Sequence, residues 1–190
     1  MDIAGLILAG GEGKRWGGPK AWAMLPNGLT FLEACAETLR EAEVRPIVAT
    51  VPPGTTQTPI GTLELVALRG PGLDMFASIV TGLDLLIKDP NWQVVAILPV
   101  DHPLVSSGTV TALANATAQA AIPSFKGKHG HPVCLARSVV ETLLEGQPTG
   151  PTLREVLRSV DAADVPVDDP GVITNCNTPE ALATALKTLR

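Results

Sequence analysis

Five glycines and three basic residues fall within thirteen positions, Leu8-Ala9-Gly10-Gly11-Glu12-Gly13-Lys14-Arg15-Trp16-Gly17-Gly18-Pro19-Lys20. Glycine lets a backbone approach a ligand closely and turn its N–H groups toward it. Lys14, Arg15 and Lys20 add positive charge, and a planar guanidinium matches phosphate oxygens. The chemistry implied is the grip of a polyphosphate. A surface loop with solvated charges is the bland alternative, but it does not need this many glycines directly after an apolar run.

That run, Ile3 to Ala9, is apolar at every position, as in a central parallel strand covered on both faces. Ligands of open α/β sheets bind where such strands end. Gln93 to Val100 is a second run of this kind and stops at Asp101. A carboxylate there faces the same edge as the glycine loop and suits Mg²⁺, which prefers oxygen ligands shared with phosphates. Two familiar phosphate loops do not fit. GxxxxGK[ST] fails at Leu8 and at Arg15, and GxGxxG fails at Trp16.

The remaining chain alternates strand and helix. Thr30 caps a helix over about 31–42, and further strands are expected near 46–51 and 63–68. Asp74 caps a helix through Leu86, and Ser106 opens one reaching about Gln119. Strands follow at 120–125 and 133–136, separated by a Gly/His-rich turn. Helices near 139–144 and 152–158, a strand at 163–167 and a final helix opened by Thr178-Pro179-Glu180 complete the pattern. This predicts an α/β chain, a single-domain Rossmann-like three-layer fold over residues 1–190 with a mostly parallel central sheet.

Composition narrows the function. The chain has 190 residues, 45% hydrophobic and 17% charged, with a formal charge of −5. An acidic protein without a Lys/Arg stripe lacks the basic face that nucleic acid requires. Cys35, Cys134 and Cys176 stand far apart without metal-ligand spacing, and are expected as buried thiols. The opening MDIAGLILAGG has no basic n-region, and no apolar run reaches the ~20 residues of a membrane span. The expectation is a cytoplasmic protein with no membrane contact.

LAGGEGKRWGGPK resembles the LAGGxSxRMGxxK signature of MobA-like nucleotidyltransferases, departing at Gly13 (usually Ser) and Trp16 (usually Met). Leu98-Pro99-Val100-Asp101-His102-Pro103-Leu104-Val105 is similar to that family's LxxDxPxV segment, whose aspartate holds Mg²⁺. Gly127 to Val133 (GKHGHPV) and Val165 to Gly171 (VPVDDPG) resemble the cytidylyltransferase branch. Asn175-Cys176-Asn177-Thr178-Pro179-Glu180 resembles the NxNTPE motif of the guanylyltransferase branch, where the cytidylyl branch carries DxDTPE. Gly72 to Ile79 is a looser match to a segment turned toward the base, with Ser78 its contact.

The resemblance implies Mg²⁺-dependent transfer of NMP from CTP or GTP to a phosphorylated acceptor, molybdopterin being the family's, with release of pyrophosphate. It implies that Arg15, Lys20 and Asp101 are catalytic, with Asp101 the metal ligand. Leu8, Ala9, Gly10, Gly11, Gly13, Lys14, Arg15, Lys20, Ser78 and Asp101 would bind the nucleotide. His131, Asn175 and Asn177 would bind the acceptor, and contact with a molybdoenzyme would follow. From the residues alone, His131 can equally serve a turn, Asn175 and Asn177 can cap a helix, and Asp74 and Asp101 can be an N-cap and a turn residue. Other readings are a sugar-phosphate transferase, a non-catalytic nucleotide-binding or chaperone-like module, and an NAD(P) oxidoreductase.

Overall fold

The computed structural model describes residues 2–11, 13, 16–55, 61–70, 74–146 and 152–188. Strand β1, Ile3–Leu8, is buried at all six positions, as are the six of β4, Val94–Pro99, and the five of β2, Ile47–Val51. Strand β3, Leu63–Ala67, lies at the sheet edge and is only partly buried. Full burial on both faces accounts for the unbroken apolar runs. Strands β5 (Ala120–Phe125), β6 (Lys128–His129), β7 (Val133–Ala136) and β8 (Ala163–Pro166) complete an eight-stranded sheet. Its order is β3-β2-β1-β4-β7-β5-β6, with β8 paired to β5. The β1–β2, β2–β3, β1–β4 and β5–β8 pairs are parallel, whereas β7 runs antiparallel to both its neighbours and β6 to β5.

Helices cover both faces, giving the three layers expected. Helix α1 (Phe31–Glu41) and helix α3 (Ser107–Ala116) pack Leu32, Cys35, Leu39, Val110 and Leu113 on one side, joined by Leu182 of α6 (Pro179–Thr188). Helices α2 (Met75–Leu86), α4 (Arg137–Leu144) and α5 (Leu153–Ser159) place Ile79, Leu83, Val140 and Val156 on the other. Thr30 closes a capping box with Glu33, and Asp74 accepts from the Ala77 N–H at 2.7 Å. Both satisfy helix-end donors that would otherwise be unpaired. The three cysteines are buried free thiols.

Two expectations need adjusting. Helix α3 ends at Ala116 rather than Gln119, because the Gln119 carbonyl already accepts from Ala136 N–H at 2.8 Å and so belongs to the sheet. The Gly/His-rich turn contains a strand. Lys126 (φ 50°) and Gly127 (φ 76°) form a two-residue hairpin joining β5 to β6, and positive φ at both positions matches the twist of such a hairpin.

Gly82 shows how closely α2 lies on the sheet. A Cβ there would stand 2.3 Å from Leu6 Cδ1 and 3.1 Å from its Cδ2, and Leu6 is fully buried. Gly→Ala in a helix normally stabilises by about 1 kcal/mol, but overpacking a core costs about 1–3 kcal/mol. Gly82→Ala is therefore expected to lower stability in urea unfolding, by up to about 2 kcal/mol.

Candidate active site

The parallel β1–β4 register sets Leu8 opposite Pro99. The glycine loop and Asp101 therefore leave the sheet side by side, at its carboxyl edge. Leu8 ends β1, and the Val100 N–H donates to its carbonyl at 3.0 Å. The Ala9 N–H donates to Thr50 O at 2.9 Å. That amide extends the β1–β2 ladder and is committed to the sheet, so the ligand-facing role expected of its N–H is not available to it.

Gly10 lies over the opening of α2: a Cβ there would be 2.3 Å from Leu68 Cδ1 and 3.6 Å from Ser78 Oγ. Ser78 is thereby brought beneath the loop, with its buried hydroxyl donating to Asp74 O at 3.2 Å. Gly11 is exposed. Gly13 has φ 60°, and a Cβ there would stand 1.9 Å from Gly18 O. Glycine is obligatory at this position, which accounts for the departure from Ser. Lys14 and Arg15 lie outside the described residues.

The loop ends in a short 3-10 turn, Lys20–Trp22. Lys20 Nζ stands 3.3 Å from Asp101 Oδ2 and also donates to Asn177 Oδ1. One ammonium thus joins three stretches of chain. The Lys20 and Asp101 side chains keep 21% and 20% exposure, so the pair is partly hydrated and its attraction partly screened. Cys176 N–H donates to Asp101 O at 2.8 Å, fastening the segment that carries Asn177 to the end of β4. Asn175, two residues before Asn177, is exposed.

Behind Asp101 lie two histidines. The His102 ring packs edge-on against that of His131, with centroids 5.0 Å apart. His102 Nδ1 is 3.4 Å from Gly171 O, while His131 Nδ1 is buried with no hydrogen-bond partner. Burial pushes the pKa of His102 down, against the opposing pull of Asp101. Neutral, it forms no ion pair with Asp101 Oδ1 at 3.9 Å. Burial, reinforced by His102, pushes His131 down to about 4. Cys176 is held up at about 11, by burial first and then by Asp101, so this thiol is no nucleophile at neutral pH.

The motif reading assigned no part to Asp169, which builds this wall. Its Oδ2 accepts from Ser106 N–H (2.9 Å), Ser106 Oγ (3.0 Å) and Thr109 Oγ1 (2.7 Å), and its Oδ1 from Gly171 N–H (2.8 Å). The 3-10 turn Pro170–Ile173 is thereby tied to the start of α3. Its Val172 carbonyl receives His131 N–H at 2.8 Å and would meet a Gly130 Cβ at 2.1 Å. The sequence signal was VPVDDPG, but four partners up to 63 residues away cannot be read from it.

A model of the MobA-like NTP transferase domain matches residues 5–165. The chain belongs to that family. It is thus a nucleotidyltransferase by descent, and the family resemblance read from the sequence is confirmed. The molybdenum cofactor guanylyltransferase of Rhodobacter capsulatus is 32% identical over 192 aligned residues, covering 100% of this chain and 98% of the relative. The fold is shared with Rv0371c of Mycobacterium tuberculosis (TM-score 0.80, 19% identity, 98% of each chain), which has also been solved in complex with manganese. It is shared too with the 2-C-methyl-D-erythritol 4-phosphate cytidylyltransferase of Thermus thermophilus (TM-score 0.69, 20% identity, 99% of this chain and 98% of that one). Among the described residues no helix is long and apolar enough to cross a membrane.

The buried histidine gives this site a pH signature. The unfolded chain takes up a proton on His131 near the ordinary 6.5, the native protein only near 4. Between those values the unfolded state binds more protons, so stability is full above 6.5 and falls as pH falls toward 4. Melting curves across that window should show the decline, and His131→Gln should flatten it.

Proposed function

We propose that this protein transfers GMP from GTP to a phosphorylated acceptor of the molybdopterin type, releasing pyrophosphate. The observation that carries this reading is the meeting of Lys20, from the glycine loop, with Asp101 and Asn177 at the carboxyl edge of β1 and β4. An acceptor phosphate oxygen would attack the α-phosphorus in line. The bond from that phosphorus to the bridging oxygen would break, and the electron pair would leave with pyrophosphate. Such a reaction needs positioning and charge neutralisation rather than a protein nucleophile.

Each residue's part follows from its place. Lys20, with Arg15 and Lys14, neutralises the β- and γ-phosphates. Gly10, Gly11 and Gly13 let the loop close over them, and Ser78, beneath Gly10, faces the nucleoside. The oxygens of Asp101 and Asn177 already converge on one cation, the Lys20 ammonium, so they fit Mg²⁺ once Lys20 turns to the phosphates. Bound there, Mg²⁺ would neutralise phosphate charge as it develops. His131, uncharged and with Nδ1 unpaired, is suited to hydrogen-bond the acceptor, and exposed Asn175 to reach its outer end. Direct transfer of the finished cofactor to a molybdoenzyme completes the proposal.

Two motifs that resemble the cytidylyl branch have structural duties that need no base preference: Gly130 against Val172 and Asp169 at the start of α3. The neutral Asn175 and Asn177 of the closing motif and the guanylyltransferase relative then favour GTP over CTP. The test is pyrophosphate release from GTP with Mg²⁺ and molybdopterin. Asp101→Asn should lose about 100-fold or more in turnover with a melting temperature close to that of the unaltered protein. Unchanged turnover in that variant, or release with CTP alone, contradicts the reading.

A further inference from the structure

Trp16 stands where the resembling signature carries Met, whose side chain has no hydrogen to donate. In this chain the indole N–H donates to the Cys176 carbonyl at 3.2 Å, across 160 residues of sequence. We propose that Trp16 is a positioning residue for the nucleotide loop, its indole N–H latching that loop to the wall that carries Asp101 and Asn177.

Further contacts support the latch. The Trp16 ring packs edge-on against Phe31, the fully buried first residue of α1, with centroids 5.3 Å apart. The indole thus rests on the core at one side and reaches the wall at the other. The main-chain N–H of Trp16 donates to Gly13 O at 2.7 Å and that of Gly18 to the same oxygen at 3.4 Å, so the residue that carries the ring is itself part of a hydrogen-bonded turn of the loop. Cys176 lies between both bonds: its carbonyl takes the indole and its N–H donates to Asp101 O at 2.8 Å. Lys20, four residues beyond Trp16, then meets the side chains of Asp101 and of Asn177, the residue after Cys176. Main chain and side chain therefore clasp loop and wall at two adjacent points.

A tryptophan that merely filled space would be satisfied by any ring. The latch requires the N–H as well, and Trp16→Phe separates the two roles because it keeps the contact with Phe31 and deletes the donor. The role in binding rests on the reading that the loop holds NTP phosphates, whereas the contact between loop and wall does not. Two measurements on the whole protein are therefore made together: titration calorimetry with Mg-GTP alongside steady-state kinetics, and hydrogen exchange of the protein without nucleotide.

For Trp16→Phe and Trp16→Met, the Kd and KM for Mg-GTP are expected to rise about three- to tenfold, the effect of one net hydrogen bond. The acceptor KM should stay within about twofold and the melting temperature within a few degrees. Residues 16–20 and 175–178 should exchange faster together, with other segments unchanged. A Trp16→Phe protein with unaltered Mg-GTP affinity and unaltered exchange at 175–178 overturns the proposal. So does a variant that melts earlier and exchanges faster throughout, which marks a packing residue only. If the unaltered protein binds no NTP, the nucleotide reading fails and the binding role of Trp16 fails with it, while the exchange data decide whether the latch exists.

Discussion

Parallel pairing of β1 with β4 is the constraint on which the site depends. With Leu8 opposite Pro99, the strands end level, and the chain beyond each must turn off the same edge of the sheet. Lys20 and Asp101 are 81 residues apart in sequence and 3.3 Å apart in space for that reason. A shift of one residue would turn every side chain of the strand to the opposite face. All six residues of each strand are buried, so the hydrophobic core that holds the register also holds the chemistry.

Charge then decides what the edge can attract. The chain carries a formal −5, which repels a polyanion at long range. The loop carries three basic residues in sequence, Lys14, Arg15 and Lys20, and salt screens the long-range repulsion beyond about 8–10 Å at ordinary ionic strength. Lys20 against Asp101 and Asn177 also spares these groups from facing a partly dry site alone. Both residues of the pair retain water contact, which under the proposed function leaves room for phosphates and a cation to displace it. The histidines behind Asp101 contribute no charge near neutral pH, and the Cys176 thiol stays protonated. With neither a charged imidazole nor a thiolate there near neutral pH, these groups suit the proposed transfer by positioning and charge neutralisation.

Much of this was legible in the sequence because it is local. Continuous apolar runs marked β1 and β4, Thr30 and Asp74 announced their helices, and the glycine loop carried the family resemblance. Asp101 could be placed because it follows a buried strand directly. What escaped is long-range. The Asp169 hydrogen bonds to Ser106 and Thr109 span about 60 residues, and the reversal of β7 between β4 and β5 leaves no trace in a four-residue apolar strand. Gly13 and Trp16 appeared in sequence as departures from a pattern. The fold gives each a physical reason: a backbone that no side chain can enter, and an indole donor aimed at Cys176.

The most direct test is the thermal stability of the protein with GTP, CTP, ATP, UTP or NADH, each with and without Mg²⁺. A ligand that binds only the folded state raises the melting temperature by mass action, by about 2.7 kcal/mol of stabilisation at a hundredfold excess over Kd. The account predicts a shift with GTP that grows when Mg²⁺ is present. A shift with NADH alone, or with none of the five, would contradict it.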